Sequence, residues 1–227
     1  MNFQDQEVEK IKERYAKRKT NMYDTPKFFY ACLYSIKERE IVYTRFIKEH
    51  LNNDLSFQKI IEIGAGTGNN LLYFVSLGFT WENIYANELL EERYCSLQKR
   101  LPNATCIQGD ALNLDYKGVF DVVFQSTVFT SILEENFRKE LAKKMFDMLK
   151  PGGIILSYDF TYNNPNNKDV RKLTRKEIEN LFPNHRGIQF RRVTLAPPIA
   201  RRVGKFYDLI NFLFPMLRTH LIAVIKK

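Results

Sequence analysis

The sequence predicts an α/β protein built around a mostly parallel β-sheet. Short apolar segments alternate with longer helical segments along most of its 227 residues, and this alternation is typical of βαβ units. The apolar segment Ile60–Ile63 is followed at once by three glycines at alternate positions, Gly64, Gly66 and Gly68. A strand, a tight glycine turn and a helix N-terminus together form a nucleotide-type binding site at the carboxyl edge of a parallel sheet.

The N-terminal segment, residues 8–51, mixes charged residues with apolar and aromatic ones. This pattern predicts two helices broken near residues 21–26. Asp24-Thr25-Pro26 resembles a helix cap with proline in the first turn. Most apolar residues of the second helix are expected to face the sheet.

The remaining elements alternate between strand and helix. Strands are predicted at residues 60–63, 83–87, 104–108, 120–125, 153–158, 188–195 and 219–225. Helices are predicted at residues 69–77, 90–100, 134–149 and 175–182, with a helical stretch at 199–214. Lys150-Pro151-Gly152-Gly153 is predicted to stop a helix and turn the chain into the next strand.

Charge is unevenly distributed along the chain. The net charge is +9, and residues 171–227 contain 13 Lys or Arg against 3 Asp or Glu. Such a basic cluster favours an anionic partner over a neutral one, although a solvated basic face remains an alternative. Three scattered cysteines, Cys32, Cys95 and Cys106, are too few for a disulfide framework or a zinc site. A polar N-terminus and the lack of a long apolar run predict a cytoplasmic protein.

Glycine spacing discriminates between cofactors. A dinucleotide fingerprint, G-x-G-x-x-G, would need glycine at position 69, where the chain has Asn69; a nicotinamide oxidoreductase is therefore disfavoured. With Glu62 two residues before the first glycine, the string E-x-G-x-G-x-G resembles the first motif of the class I S-adenosylmethionine-dependent methyltransferases. That resemblance implies S-adenosylmethionine as cofactor, with S-adenosylhomocysteine as product. It implies cofactor contacts from Glu62, Gly64, Ala65, Gly66, Gly68 and Asn69.

Later motifs resemble the same family, in order, over about residues 58–160. The resemblance implies that Glu88, with Leu89 beside it, accepts hydrogen bonds from the ribose. It implies that Asp110 holds the adenine amino group while Ala111 presents backbone to the ring, and that Gln125 lies beside the methionine portion.

The family resemblance also implies the topology. A Rossmann-like, doubly wound sheet of seven strands is expected, mostly parallel with an antiparallel last strand. Residues 1–57 would form a helical cap and residues 58–160 the cofactor-binding core. Residues 161–227 would complete the same domain with a basic lid on the substrate side.

The substrate side is expected beyond the carboxyl ends of the strands. Acceptor-binding candidates lie in the loops and links expected there: Thr127, Arg201, Arg202 and Arg218. The planar guanidinium of arginine can donate two parallel hydrogen bonds to the oxygens of a phosphate or carboxylate. Candidates for a catalytic base are His220, Asp159 and Tyr162; histidine is attractive because it ordinarily titrates near neutral pH. The sequence contains no metal-ligand pattern, so no metal is expected.

These features favour O-methylation of an anionic small molecule or glycan, such as a phosphorylated or lipid-linked sugar. The C-terminal third resembles methyltransferases of the type 11-like group encoded near glycan-assembly genes, which suggests polysaccharide biosynthesis. The apolar segment 205–217 is expected to be a lid over the substrate pocket or, alternatively, a peripheral contact with the inner face of the membrane. The oligomeric state is left open.

Two other classes remain as alternatives. An RNA or other nucleic-acid methyltransferase would explain the basic charge. It is disfavoured because Gln125-Ser126-Thr127-Val128 replaces the Asn/Asp-Pro-Pro-aromatic motif of enzymes that act on base amino groups. A non-catalytic methyltransferase-like binding subunit is disfavoured because the motifs are intact.

Overall fold

A seven-stranded mixed sheet forms the centre of the molecule. The computed structural model describes residues 3–17, 26–51, 54–165 and 167–227, so the predicted cap at Asp24 and Thr25 lies outside the described residues. The strands are β1 Ile60–Ile63, β2 Ile84–Glu88, β3 Thr105–Gln108, β4 Phe120–Ser126, β5 Leu149–Phe160, β6 Gly187–Leu195 and β7 Arg218–Lys226. Their order is β3-β2-β1-β4-β5-β7-β6. β7 is antiparallel to both of its neighbours, and β1 to β5 pair in parallel, which confirms the predicted α/β Rossmann-like topology.

Helices cover both faces of this sheet. They are α1 Phe3–Ala16, α2 Pro26–His50, α3 Asn69–Leu77, α4 Glu91–Arg100, α5 Glu135–Met148, α6 Arg175–Leu181, α7 Pro197–Val203 and α8 Tyr207–Leu213. Buried side chains of α1, α5 and α6 pack on one face together with Ile61 and Val123. Those of α2, α3 and α4 pack on the other face with Ile60 and Val122. Because neighbouring residues of a strand point to opposite faces, each strand contributes to both cores.

The two N-terminal helices are thus separated by the sheet. α1 buries Ile11 in the core on the α5 side, whereas α2 buries Tyr43 and Ile47 in the core on the opposite side. Within the described ranges, no helix has both the length and the apolar composition needed to cross a bilayer.

Two predicted elements differ from the structure. β5 begins at Leu149, which pairs with Phe120, and the next pair is Val122 with Ile154. Residues 150–153, predicted as a turn before the strand, therefore form an irregularity within it, where proline lacks an N–H donor for the ladder. The predicted helical stretch 199–214 is divided at Gly204, which has a positive φ of 52°, into α7 and α8.

Candidate functional site

The glycine loop between β1 and α3 combines tight packing with open space. A Cβ on Gly64 would lie 2.6 Å from Val128 Cγ2, and one on Gly68 would lie 2.7 Å from Leu101 Cδ1. A Cβ on Gly66 would have no neighbour within 4 Å among the residues that the structure describes. The first and third glycines are therefore required by contacts within the protein, while a side chain at the middle one would enter open space.

Glu88 ends β2 and is fixed by two backbone groups. Its Oε2 accepts the N–H of Gly66 at 2.7 Å, and its Oε1 accepts the N–H of Leu90 at 2.9 Å. Glu88 as a whole residue is 4% exposed. Each oxygen of an ionised carboxylate can accept more than one hydrogen bond, so Glu88 keeps acceptor capacity directed at the cavity that it lines.

This cavity lies at the carboxyl ends of β1 to β4. Its empty volume is about 770 Å³, including the open mouth. Its walls include six residues predicted to contact cofactor or acceptor: Gly64, Glu88, Leu89, Asp110, Ala111 and Thr127. Thr127 has a positive φ of 62°. A threonine in this region is strained, and such residues cluster at functional sites.

Helix α1 forms one side of the cavity, which the sequence analysis did not foresee. Val8, Ile11 and Tyr15 line it, and their i, i+3, i+7 spacing is a signal that could have identified this face. At the start of the helix, Gln4 Nε2 donates to Asp110 Oδ2 at 2.6 Å. The helix is thereby tied to the loop after β3.

Glu62 and Ala65, which were also predicted to contact the cofactor, do not line the cavity. Glu62 pairs across the sheet with Phe124 and points to the α2–α3 face, where its Oε1 accepts from Asn70 Nδ2 at 2.7 Å. Its buried Oε2 has no hydrogen-bond partner among the described residues. Burial raises the pKa of Glu62 to about 8; the hydrogen bond from Asn70 opposes this shift. Ala65 is buried with its N–H bonded to Asn87 O.

At the start of α3, Asn69 is exposed. Gln125 is not among the residues that line the cavity, and it belongs to a buried hydrogen-bond network with Asp159. The Gln125 Nε2 group donates to Asp159 Oδ2, and the Thr130 backbone N–H donates to Asp159 Oδ1 at 3.1 Å. Burial raises the pKa of Asp159 to about 6, against the opposing effect of these hydrogen bonds. In this position Asp159 anchors the loop after β4.

His220 lies on the opposite face of the sheet from Asp159. Asp159 pairs with Leu221, whereas His220 pairs with Phe160 and stacks on the Tyr158 ring at a centroid distance of 5.1 Å. Burial, together with the charge of Arg39, lowers the pKa of His220 to about 4. This corrects the expectation that it titrates near neutral pH. The third candidate base, Tyr162, is exposed after β5 and does not line the cavity.

The three predicted acceptor-binding arginines differ in their surroundings. Arg218 Nε donates to Asn211 Oδ1 at 2.8 Å and lies 3.7 Å from Glu38 Oε1, so most of its binding capacity is used within the protein. Arg201 and Arg202 are exposed on α7, with the Arg201 guanidinium 5.3 Å from the centre of the Phe28 ring.

Arg39 of α2 was missed by the sequence analysis. Its guanidinium lies 4.6 Å from the centre of the Tyr158 ring, and its Nε donates to Ser35 O at 3.3 Å. It forms no ion pair with any carboxylate in the part of the chain that the structure describes. What distinguishes this arginine is its contact with Tyr158, and a single sequence does not show that the two residues are close in space.

Residues 60–153 match the family model described as a methyltransferase domain. This stretch contains the glycine loop, Glu88 and Asp110 on the strands described above. This central part of the chain is therefore similar to methyltransferase domains.

Two curated methyltransferases are similar in sequence. The chain is 28% identical over 148 residues to malonyl-[acyl-carrier protein] O-methyltransferase of Haemophilus ducreyi. The aligned region covers 62% of this chain and 55% of that protein. It is 25% identical over 137 residues to an uncharacterized methyltransferase of Oceanobacillus iheyensis, covering 60% of this chain and 62% of that protein. The chain thus spans less than two thirds of the length of either relative.

A solved methyltransferase has the same fold. Burkholderia thailandensis 1,6-didemethyltoxoflavin-N1-methyltransferase, with bound 1,6-didemethyltoxoflavin and S-adenosylhomocysteine, superposes with a TM-score of 0.60 at 17% identity. The match covers 83% of this chain and 77% of that one.

The residues around the cavity fit S-adenosylmethionine, the cofactor that the sequence resemblance implies. Glu88 retains acceptor capacity for hydroxyl donors, and Gly66 leaves space beside it. Leu89 and Ala111 give apolar walls suited to an adenine ring. Gln4 already donates to Asp110 Oδ2, so a ligand at Asp110 would share this carboxylate with Gln4 or displace it.

Proposed function

We propose that this chain binds S-adenosylmethionine in the cavity at the end of β1 to β4 and transfers its methyl group to an oxygen of an anionic small molecule or glycan. The observation that carries the cofactor assignment is Glu88. A nearly buried carboxylate is costly unless its hydrogen bonds are satisfied, and here two backbone N–H groups fix its orientation towards the cavity.

The residues of the chain supply position and exclusion of water. S-adenosylmethionine brings a methyl group already activated by its sulfonium, so alignment with the acceptor is the main requirement. Val8, Ile11 and Tyr15 shield the cavity with apolar surface. Thr127, at the end of β4, is held by its N–H bond to Tyr158 O at 2.7 Å, and its strained backbone presents it to the cavity.

An anionic acceptor is supported by three arginines that form no ion pair with a carboxylate within the described ranges. Arg39 is half-buried over Tyr158 of β5, three strands from Glu88 of β2. Three strand spacings correspond to about 14 Å across the sheet, a separation that favours Arg39 as a contact of the acceptor over a contact of the ribose. Arg201 and Arg202 add exposed guanidinium groups, and such groups bind phosphate or carboxylate in a bidentate manner.

Oxygen as the methylated atom is the finer part of this proposal. The Haemophilus ducreyi relative is named an O-methyltransferase, whereas the Burkholderia thailandensis structure is named an N1-methyltransferase. An acceptor panel should therefore contain hydroxyl, carboxyl and amine groups on phosphorylated sugars, lipid-linked sugars and acyl thioesters, together with RNA.

The proposal is tested first by calorimetric titration with S-adenosylhomocysteine. The wild-type protein is compared with Glu88→Ala and with Glu82→Ala, an exposed glutamate just before β2. Micromolar binding by wild type and Glu82→Ala, lost in Glu88→Ala, would support the cofactor site. Equal binding by all three proteins would remove Glu88 from the site, and absence of binding by folded wild type would remove the proposed activity. Transfer of labelled methyl groups to the acceptor panel then identifies the substrate class.

A further inference from the structure

Exposed large hydrophobic side chains are concentrated on one part of the surface. Ten of the thirteen such residues in the described part of the chain belong to the N-terminal half of α2 or to the segment from Lys205 to Met216. We call them the apolar surface: Phe29, Tyr30, Leu33, Ile36, Phe206, Leu209, Phe212, Leu213, Phe214 and Met216. Scattered exposed hydrophobic residues are ordinary, but a contiguous group indicates an interaction site.

The two halves of the apolar surface are physically joined. The Tyr30 ring stacks on Tyr34 at 6.3 Å, and Tyr34 stacks on Tyr207 of α8 at 5.8 Å. The guanidinium of Arg201 lies against Phe28 of α2. Tyr207 is fully buried between these elements, so α2 and α8 hold the exposed side chains on a common support.

These side chains project from the surface, and the backbone beneath them has internal hydrogen bonds. Phe212 is 80% exposed and Met216 is 66% exposed. The N–H of Phe214 donates to Ile210 O, and that of Leu217 donates to Phe214 O. Because those N–H groups are already bonded, the side chains can enter an apolar medium without leaving them unpaired.

Basic residues lie beside the apolar surface. Arg201, Arg202 and Lys205 are exposed, against the single acidic side chain of Asp208 in α7 and α8. Projecting aromatic and aliphatic side chains next to a basic rim are the features of segments that lie in the interface of an anionic bilayer. A protein partner would instead need its own matching acidic and apolar groups.

The location of this surface relates it to the cavity. α7 and α8 connect the carboxyl end of β6 with the start of β7, which is antiparallel. They therefore lie at the same edge of the sheet as the carboxyl ends of β1 to β4, where the cavity opens.

We propose that the apolar surface docks on an anionic lipid bilayer, with Phe212 and its neighbours inserted at the level of the headgroups. A methyl acceptor anchored in that bilayer would reach the cavity from the docked edge; this last step rests on the proposed methyltransferase function, whereas docking itself does not.

The test is co-sedimentation with vesicles of phosphatidylcholine, with and without phosphatidylglycerol, in low and high salt. The variants are Phe212→Ser and Phe57→Ser, a matched pair because Phe57 is 78% exposed but lies outside the apolar surface. We expect wild type and Phe57→Ser to bind the anionic vesicles at low salt, and Phe212→Ser to bind at least about tenfold more weakly. High salt or the omission of phosphatidylglycerol should weaken wild-type binding.

Three outcomes would overturn the docking proposal. The first is failure of wild type to bind anionic vesicles at low salt. The second is equal binding by Phe212→Ser and Phe57→Ser. The third is a dimer of the free protein, detected by light scattering and abolished by Phe212→Ser, which would make the surface a contact between two copies. Thermal unfolding checks that each variant folds. Vesicle binding without S-adenosylhomocysteine binding would retain the docking and reject the methyltransferase activity.

Discussion

Gln4 and Asp110 are joined by a 2.6 Å hydrogen bond between the first turn of α1 and the loop after β3. The bond uses the carboxylate that the family resemblance assigns to the adenine amino group. α1 therefore shields the cavity, and its Gln4 competes with the cofactor for hydrogen bonds to the Asp110 carboxylate.

Removing this competitor should strengthen cofactor binding. We expect Gln4→Ala to bind S-adenosylhomocysteine up to about tenfold more tightly, because a hydrogen bond contributes about 0.5–1.5 kcal/mol net and about 1.4 kcal/mol corresponds to a factor of ten. Gln6→Ala, an exposed glutamine of the same helix, is the control. Calorimetry measures both variants, and weaker binding by Gln4→Ala would show that Gln4 supports the ligand instead of competing with it.

Alanine substitutions at Gly66 and Gly68 should separate ligand contact from folding. Both glycines have positive φ, 58° and 81°, so alanine costs about 1–2 kcal/mol at either position. At Gly68 the new Cβ also meets Leu101 and Leu97, adding about 1–3 kcal/mol of overpacking. We expect Gly68→Ala to unfold at a clearly lower urea concentration than Gly66→Ala.

Ligand affinity should show the opposite ranking among folded variants. At Gly66 the methyl group enters the open space beside Glu88, so affinity for S-adenosylhomocysteine should fall by more than about tenfold. Wild-type affinity in folded Gly66→Ala would mean that the ligand does not approach this part of the loop.

Local sequence signals predicted the part of the fold that lies around the cofactor. The bounds of β1 and α3 agree with the prediction, because a β-branched run and a glycine turn encode them within a few residues. The irregular start of β5 depends on its pairing with β4, and no local pattern contains that information. Strand alternation alone could have separated Tyr158 from Asp159, which are adjacent in sequence and therefore point to opposite faces.

The tertiary part of the site was beyond the reach of a single sequence. The position of His220 follows from its antiparallel pairing with Phe160, and its depressed pKa follows from the burial created there. Arg39 approaches Tyr158 only because α2 packs across β5. The apolar face of α1 could be predicted from the spacing of its apolar residues. Its position beside the cavity depends on long-range contacts, such as the hydrogen bond from Gln4 to Asp110.

Glu62 should make the stability of the protein depend on pH. Its folded pKa is about 8, and its ordinary value is about 4.3. Between these values the folded state binds a proton that the unfolded state lacks, so the free energy of unfolding falls as pH rises, by up to about 1.4 kcal/mol per pH unit. Below the ordinary pKa this loss is absent.

The neutral isostere Glu62→Gln removes this contribution. In urea titrations from pH 5 to 8, we expect wild type to lose stability relative to Glu62→Gln as the pH increases. Asp159, with its own raised pKa, acts in the same direction, but it is present in both proteins and cancels in the comparison. Glu179→Gln, at an exposed position of α6, should follow wild type. Parallel curves for wild type and Glu62→Gln would show that Glu62 is ionised in the folded protein.

Arginines near the proposed acceptor side should divide into structural and binding groups. Arg218 contacts Asn211 and Glu38, so Arg218→Ala leaves buried polar groups without a partner and should destabilise the fold by about 1–3 kcal/mol. Arg201 and Arg202 are exposed, and the double alanine variant should change stability by no more than about 0.5 kcal/mol per site. Urea unfolding distinguishes the two cases directly.

The exposed arginines, which should matter little for stability, should matter for the acceptor KM. With a water-soluble anionic acceptor found in the panel, the Arg201→Ala/Arg202→Ala variant should raise the acceptor KM at least about tenfold, because each guanidinium lost removes about 1.5–3 kcal/mol of charged hydrogen bonding. Its affinity for S-adenosylhomocysteine should not change, since neither arginine lines the cofactor cavity. The paired variant Lys99→Ala/Arg100→Ala on α4, where both side chains are exposed, controls for loss of two surface charges. An unchanged acceptor KM in the α7 variant would leave Arg39 as the arginine to test next, because it is half-buried beside Tyr158 and forms no ion pair with the carboxylates that the structure describes.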